Sequence, residues 1–348
     1  MDALIQHVEE AKELSLREIN VAAEMLLDTS VCDEKKARFL KALARKGETA
    51  AEITGFVEAF LERAVDPGIS GMEFEGPTID VCGTGGDKLN LFNVSTTSMF
   101  VIAAGGAVVV KHGNRGITSK SGGADVLEAL GINIELSAED FRKSLKVAGV
   151  GFLFAPMYHP AFKAVAGVRA SLAKEGVRTI FNLIGPLLNP GRPECQLVGV
   201  CDSDKNAVFA EILQRLGRDS AWVVNGMTED GGVVDEVSLL GATRICKSGA
   251  YQSIVDEMVE PKDFGFSVCD VKELQGGDAE VNAQILEDIL SGRETGPKRE
   301  MVLLNAGAGL ACAGLVDTLG EGVRLAGELI DSGQALDRLR RLQEVAAI

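Results

Sequence analysis

The chain has 348 residues, 46% hydrophobic and 25% charged, with 40 glycines and only 5% aromatic residues. A net charge of −16 and a pI of about 4.8 exclude the broad basic face that general nucleic-acid binding needs. Seven cysteines without a C-x-x-C pair and three scattered histidines suggest neither a zinc ribbon nor a disulfide framework. No apolar run reaches the roughly 18 residues of a membrane span. The acidic, amphipathic opening MDALIQHVEEAKEL is unlike a targeting peptide, so a cytoplasmic location is expected.

Residues 1 to about 65 carry helical periodicity only. Ser15-x-x-Glu18 and Thr49-x-x-Glu52 are capping-box patterns, each in front of an apolar helical period. Asp66-Pro67-Gly68 ends the last of these helices, and a loose linker runs to Pro77. From residue 78 short apolar runs (78–82, 107–110, 151–155, 196–201, 221–224) alternate with helical segments at 93–104, 124–130 and 137–148. Continuous apolar runs separated by helices predict an α/β fold with a mainly parallel sheet covered on both faces. A further helical segment occupies 158–176, and two prolines in 185–190 predict an ordered loop rather than regular structure. Residues 280–290, 301–315 and 321–345 are helical again, the middle one rich in Ala and Gly and suited to close burial.

Between Cys82 and Gly123 the only acid is Asp87, whereas Lys88, Lys111, Arg115 and Lys120 are basic. That local reversal in an acidic chain points to a polyanionic, phosphate-bearing ligand. Glycine turns and helix starts present unsatisfied backbone N–H groups, which receive anions. The turn Gly83-Thr84-Gly85-Gly86-Asp87 is neither a P-loop nor a dinucleotide fingerprint, since Lys88 stands where the third glycine belongs. Asn93-x-Ser95-Thr96 opens the next helix, either as an ordinary N-cap or as a group facing a phosphate and its cation. Lys111-His112-Gly113-Asn114-Arg115 follows a buried strand at its C-terminal end, where ligands sit in open α/β sheets. Asp235-Glu236, after a Gly-rich turn, offers hard oxygen donors of the kind Mg²⁺ takes. An adjacent acidic pair among 51 acids carries little information alone, and Arg169 at helical spacing from Phe162 and Val165 equally suits a surface helix.

The ordered set G-T-G-G-D, N-x-S-T, K-H-G-N-R, S-K-S-G, A-D-V-L-E-A-L-G, H-P-A, R-T-I-F-N, G-P-L-x-N-P and D-E covers residues 80–241. It resembles the anthranilate phosphoribosyltransferases of tryptophan biosynthesis. The resemblance implies a nucleoside-phosphorylase-like fold. A small helical domain (1–70, with about 158–176) would pack on a large α/β domain (71–157 and 177–348). It implies Mg²⁺, two ions per subunit, and a homodimer paired through the helical domain. Phosphoribosyl diphosphate (PRPP) would then lie on Gly83, Gly86, Asp87, Leu91, Asn93, Val94, Ser95, Thr96, Lys111, His112, Gly113, Asn114, Arg115, Ser119 and Gly123. Anthranilate would contact Gly83, Asn114 and Arg169, and Ser95, Asp235 and Glu236 would hold metal. No acid or base is implied, and His112 has at most a positioning role.

The chain departs from the family pattern at Lys88, Leu91 and Gly123, where Gly, Thr and a hydroxyl residue are usual, and carries a short insertion at 173–175. Leu91 and Gly123 remove two hydroxyls from the expected PRPP site, and Lys88 adds a charge. Two other readings share some features. A pyrimidine nucleoside phosphorylase has the same architecture, and a non-catalytic relative could bind nucleic acid. The net charge and the intact Asp235-Glu236 pair count against the second.

Overall fold

The computed structural model describes residues 1–116, 120–249 and 253–347, and the chain divides into two units. The first contains Met1–Asp66 and Pro156–Pro190; the second contains Pro67–Ala155 and Gly191–Ile348.

Four helices open the chain: α1 (Asp2–Glu9), α2 (Leu16–Leu27), α3 (Asp33–Lys46) and α4 (Ala50–Leu61). Helices α2 and α4 start at the two expected capping boxes, where Ser15 and Glu18, and Thr49 and Glu52, bond reciprocally. Glu52 is fully buried but not stranded. It accepts from the Leu14 N–H at 2.9 Å and from Lys46 Nζ at 2.6 Å.

The second unit begins with β1 (Thr78–Gly83), α5 (Val94–Ala104), β2 (Val108–Gly113), α6 (Gly123–Ala129), α7 (Ala138–Ala148) and β3 (Val150–Phe154). Ile79, Val81, Val109 and Val150 are all buried, which is why these strands read as continuous apolar runs. One helical turn, α8 (Ala155–Tyr158), returns the chain to the first unit. There it forms α9 (Lys163–Lys174) and the 3₁₀ turns Ile180–Asn182 and Gly185–Leu187. The residues of the 173–175 insertion therefore end α9, and Glu175 pairs with Lys41 at 2.6 Å.

The sequence ends this helical contribution at 176, whereas the structure carries it to Pro190. The cause is apolar packing. Phe181 is buried, stacks on Phe60 at 5.6 Å and meets Phe162 edge-on at 5.6 Å. The first boundary likewise falls at Asp66 rather than 70.

Back in the second unit come β4 (Cys195–Gly199), α10 (Asn206–Arg215), β5 (Ser220–Met227), β6 (Val233–Val234), β7 (Thr243–Gly249) and β8 (Val255–Val259). Helices α11 (Val271–Leu274), α12 (Ala279–Leu290), α13 (Pro297–Cys312), α14 (Leu319–Asp331) and α15 (Gln334–Val345) follow. The sheet order is β3-β2-β1-β4-β5-β7-β8, with β6 beside β5. The five strands from β3 to β5 are parallel, and β6, β7 and β8 are antiparallel. The expected mainly parallel sheet is thus present, with an antiparallel end that apolar runs do not reveal. Strand β8 is largely exposed, and its Asp256 and Glu257 pair with Arg244 and Lys247 of β7, each at 2.6 Å. The stretch 321–345, read as uninterrupted helix, is two helices broken at Gly333, whose φ of 79° is left-handed. Gly307 of α13 and Gly322 of α14 face one another so closely that a Cβ on either would strike the other helix's backbone. No helix among the described residues is long and apolar enough to cross a membrane.

If Phe181 closes the core of the helical unit, Phe181→Ala should cost about 3 kcal/mol or more, and Phe181→Leu much less. Thermal unfolding of the two variants checks this, and an alanine variant as stable as the parent contradicts the placement of 177–190.

Candidate functional site

Strand order reverses between β1 and β4, so the crevice beyond their C-terminal ends is the sheet's switch point, where open α/β sheets bind ligands. Gly83 and Gly199 end these strands and are register partners. A Cβ on Gly83 would collide with the Asp235 carboxylate, and one on Gly199 with the Asp235 backbone. Two paired glycines therefore create the room in which Asp235 lies. The Gly85 N–H donates to Asp235 Oδ2 at 2.6 Å, and the Thr84 N–H donates to the Gly199 carbonyl at 2.9 Å. Gly85 and Gly86 have φ of 70° and 101°, which the turn demands and glycine supplies at little cost. Lys88 and Asn90 also adopt left-handed φ, 61° and 55°, without being glycine.

Asp235 and Glu236 belong to the excursion between β5 and β7, just after β6. Asn305 of α13 anchors it. Its Oδ1 accepts from the Val237 N–H at 2.8 Å, and its Nδ2 donates to the Val237 carbonyl at 2.9 Å and to the Met301 carbonyl at 2.9 Å. Asn305 is 1% exposed, so these bonds are made out of water. Neither Gly199 nor Asn305 stands out in the sequence, because each acts through a contact distant along the chain.

Beneath the acids, Lys111 is buried, and its Nζ donates to the Val81 carbonyl and to Ser95 Oγ, the latter at 3.2 Å. The fully buried Asp80 accepts from the His112 N–H at 3.3 Å. Desolvation raises the Asp235 carboxyl from the ordinary aspartate range to about 6, and the Asp87 charge adds to this while the Gly85 N–H opposes it. Desolvation pushes Glu236 well above its usual range, the Asp235 charge adds, and Lys111 and the Ser95 N–H oppose. Burial also raises Asp87, opposed by the Leu89 N–H. Three carboxyls thus share one region, and Lys111 offsets the charge of Glu236.

Of the remaining expected residues, Val94 and Thr96 are buried in the first turn of α5. Asn93 occupies the N-cap position, but its side chain does not cap; its Nδ2 donates to the Ser121 carbonyl at 3.3 Å. Leu91 bridges to Gln275. Gly113 and Gly123 fit against Phe152 and Thr96, where a Cβ would crowd both. Asn114 and Arg115 are exposed, and Asn114 Oδ1 accepts from the Arg115 N–H at 2.8 Å. The loop's own sequence is poor in acids, yet Glu128 pairs with Arg115 at 2.8 Å and Glu135 approaches to 3.8 Å. Ser119 lies outside the described residues. Arg169 belongs to the first unit, where its guanidinium sits 5.0 Å over the Phe181 ring. Burial lowers its pKa, and no ion pair holds it among the described residues.

The Asp235 carboxyl titrates near 6 in the folded chain and near 3.8 as a free side chain. The folded state therefore holds this proton more tightly, and the associated stability is present below about pH 4 and lost as pH rises through about 6. Asp235→Asn should raise the thermal midpoint of the metal-free protein by a few degrees near neutral pH and change it little near pH 4. A variant that is no more stable than the parent at neutral pH contradicts the crowding of charge.

Residues 75–336 match the family model described as glycosyl transferase family, a/b domain, and residues 2–64 match the one described as glycosyl transferase family, helical bundle domain. The anthranilate phosphoribosyltransferase of Syntrophomonas wolfei is 42% identical over 98% of this chain and 96% of its own. That of Listeria welshimeri is 44% identical, covering 98% and 97%. The crystal structure of the Thermus thermophilus anthranilate phosphoribosyltransferase superposes with a TM-score of 0.88 at 37% identity, covering 99% of both chains. The Saccharomyces cerevisiae enzyme in complex with PRPP and Mg gives a TM-score of 0.84 at 25% identity, covering 99% and 98%. The chain belongs to the anthranilate phosphoribosyltransferase family.

Proposed function

We propose that this protein transfers the phosphoribosyl group of PRPP to the amine of anthranilate, giving N-(5-phosphoribosyl)anthranilate and diphosphate. The observation that carries this reading is that Asp235 lies over the paired glycines of the switch point, with the charges of Glu236 and Asp87 close by and Lys111 offsetting Glu236. Such a cluster lacks positive charge, and Mg²⁺ fits the deficit. Its donors are hard oxygens: Asp235, Glu236 and the Ser95 hydroxyl. Among the described residues no three His, Cys, Asp or Glu side chains form a metal cage, and Mg²⁺ typically uses one or two carboxylates together with substrate phosphates. When bound, Mg²⁺ supplies positive charge to the departing diphosphate. The yeast relative's complex with PRPP and Mg supports the same assignment.

The chain's own contribution is a cradle of backbone N–H groups. Gly83, Gly86, Asp87 and Leu91 belong to the glycine turn, and Asn93 to Thr96 to the start of α5, whose dipole favours negative charge. Lys111 to Gly113 at the end of β2, Asn114 and Arg115 after it, and Gly123 at the start of α6 are the facing residues, with His112 as a positioning residue and no acid or base assigned; Ser119, also proposed for PRPP, lies outside the described residues. Anthranilate is a neutral, weak nucleophile, so orientation supplies much of the rate. The residues that the family resemblance implies for anthranilate are Gly83, Asn114 and Arg169, the last for its carboxylate. Phe181 keeps the guanidinium in place without neutralising it. Nucleoside phosphorolysis and nucleic-acid binding have no supporting observation.

Incubation with PRPP, Mg²⁺ and anthranilate should consume anthranilate fluorescence and release diphosphate; a folded protein that does neither refutes the reading. Arg169→Ala should raise the anthranilate KM by roughly tenfold or more and leave the PRPP KM within about twofold. Equal loss of both would make Arg169 structural. Asp235→Ala with Glu236→Ala should abolish Mg²⁺-dependent turnover in a folded protein, and an unchanged Mg²⁺ titration removes these acids from the site. Finer expectations are two Mg²⁺ per subunit, a cytoplasmic location and a homodimer through the helical unit, where Leu16 and Val21 are exposed. Metal titration and light scattering measure the ion number and the mass.

A further inference from the structure

The cradle is braced from outside its motifs. Residues 274–277, between α11 and α12, run along residues 89–92, which follow the glycine turn. The Phe92 N–H donates to the Leu274 carbonyl at 3.1 Å, Leu91 bridges to Gln275, and the Gly276 N–H donates to the Asn90 carbonyl at 2.9 Å. Gly276 is pressed so tightly that a Cβ there would strike both Asn282 and the Phe92 backbone. The seam ends at Asn282 in the first turn of α12, 3% exposed.

Asn282 cannot point its amide freely. Its Oδ1 accepts from the Gly277 N–H at 2.9 Å, which turns Nδ2 towards Asn93. Nδ2 donates to Asn93 Oδ1 at 2.8 Å and to the Gly277 carbonyl at 3.3 Å. With Oδ1 so engaged, Asn93 presents Nδ2 to the Ser121 carbonyl at 3.3 Å. An amide reversed at Asn282 would set two donors or two acceptors against each other at both ends. The order of donors and acceptors thus runs one way from Gly277 to Ser121. It joins the start of α5 to the loop that follows β2, two of the three parts of the cradle.

We propose that Asn282 is a positioning residue for PRPP, acting by fixing the Asn93 amide and, through it, the Ser121 end of the loop. This deepens the reading above and rests on it. The geometry predicts a selective effect, since Asn282 bonds to the donor half of the site and Arg169 belongs to the other unit.

The test compares Asn282→Ala, Asn282→Ser, Asn93→Ala and the Asn93→Ala/Asn282→Ala double variant in steady-state kinetics, PRPP binding by calorimetry, and thermal unfolding. Serine keeps an oxygen near the Gly277 N–H but does not reach Asn93, so it separates the turn from the relay should alanine fail to fold. Asn282→Ser is expected to raise both the PRPP KM and the PRPP dissociation constant about tenfold, with the anthranilate KM within about twofold. The double variant is expected to be no worse than Asn93→Ala alone, as for two residues acting as one unit. A serine variant with unchanged PRPP affinity, equal losses for both substrates, or additive effects in the double variant each overturns the proposal. Failure of the parent protein to turn over PRPP and anthranilate sinks the functional reading instead.

Discussion

The site depends on a steric vacancy: neither Gly83 nor Gly199 has a side chain, so another stretch of backbone can lie across the ends of two adjacent strands. A Cβ at either position displaces Asp235, and with it the register of Glu236. Asn305 completes the arrangement by taking both backbone polar groups of Val237. A buried amide in this role mimics a neighbouring strand, satisfying a donor and an acceptor that the excursion would otherwise leave unmet. Scaffold and chemistry are separable here. The glycines and Asn305 decide where the acids stand, and the acids carry the proposed chemistry.

Burial raises the pKa of Asp87, Asp235 and Glu236 alike, and neighbouring carboxylate charge adds to the shift at Asp235 and Glu236. The proposed Mg²⁺ would relieve this burden at Asp235 and Glu236. Lys111 tempers the crowding but is itself tied to Val81 and Ser95, so its charge is fixed in place rather than free to follow a ligand. Arg115 is different, being held by Glu128 on the surface. The basic character of the loop is therefore less than its sequence suggests.

Local features were legible. The capping boxes, the parallel strands and the glycine turn depend on neighbours a few residues away, so spacing reveals them. Features created by distant partners were not. Gly199 reads as an ordinary strand end until Asp235 is laid over it, and Asn282 and Asn305 read as polar residues in helices. Glu128 and Glu135 lie beyond the loop whose arginine they engage. Strands β7 and β8 escaped because charged residues interrupt their apolar ones, leaving no continuous apolar run. Residues past 176 were not read as part of the helical unit because Phe181 looks like part of a loop until its ring is placed on Phe60.

The first unit is made of two separated pieces of chain, and that bears on the order in which the protein is built. Lys36 Nζ reaches the Ala164 carbonyl across 128 residues, and the Phe60 ring meets Phe162 and Phe181. During synthesis, helices α1 to α4 emerge first but lack the aromatic partners that close their core. By the time Phe181 has been made, β1, β2 and β3 have already been synthesised. The helices before Phe181 thus lack part of their core until it is made, a non-local closure of the kind that slows folding.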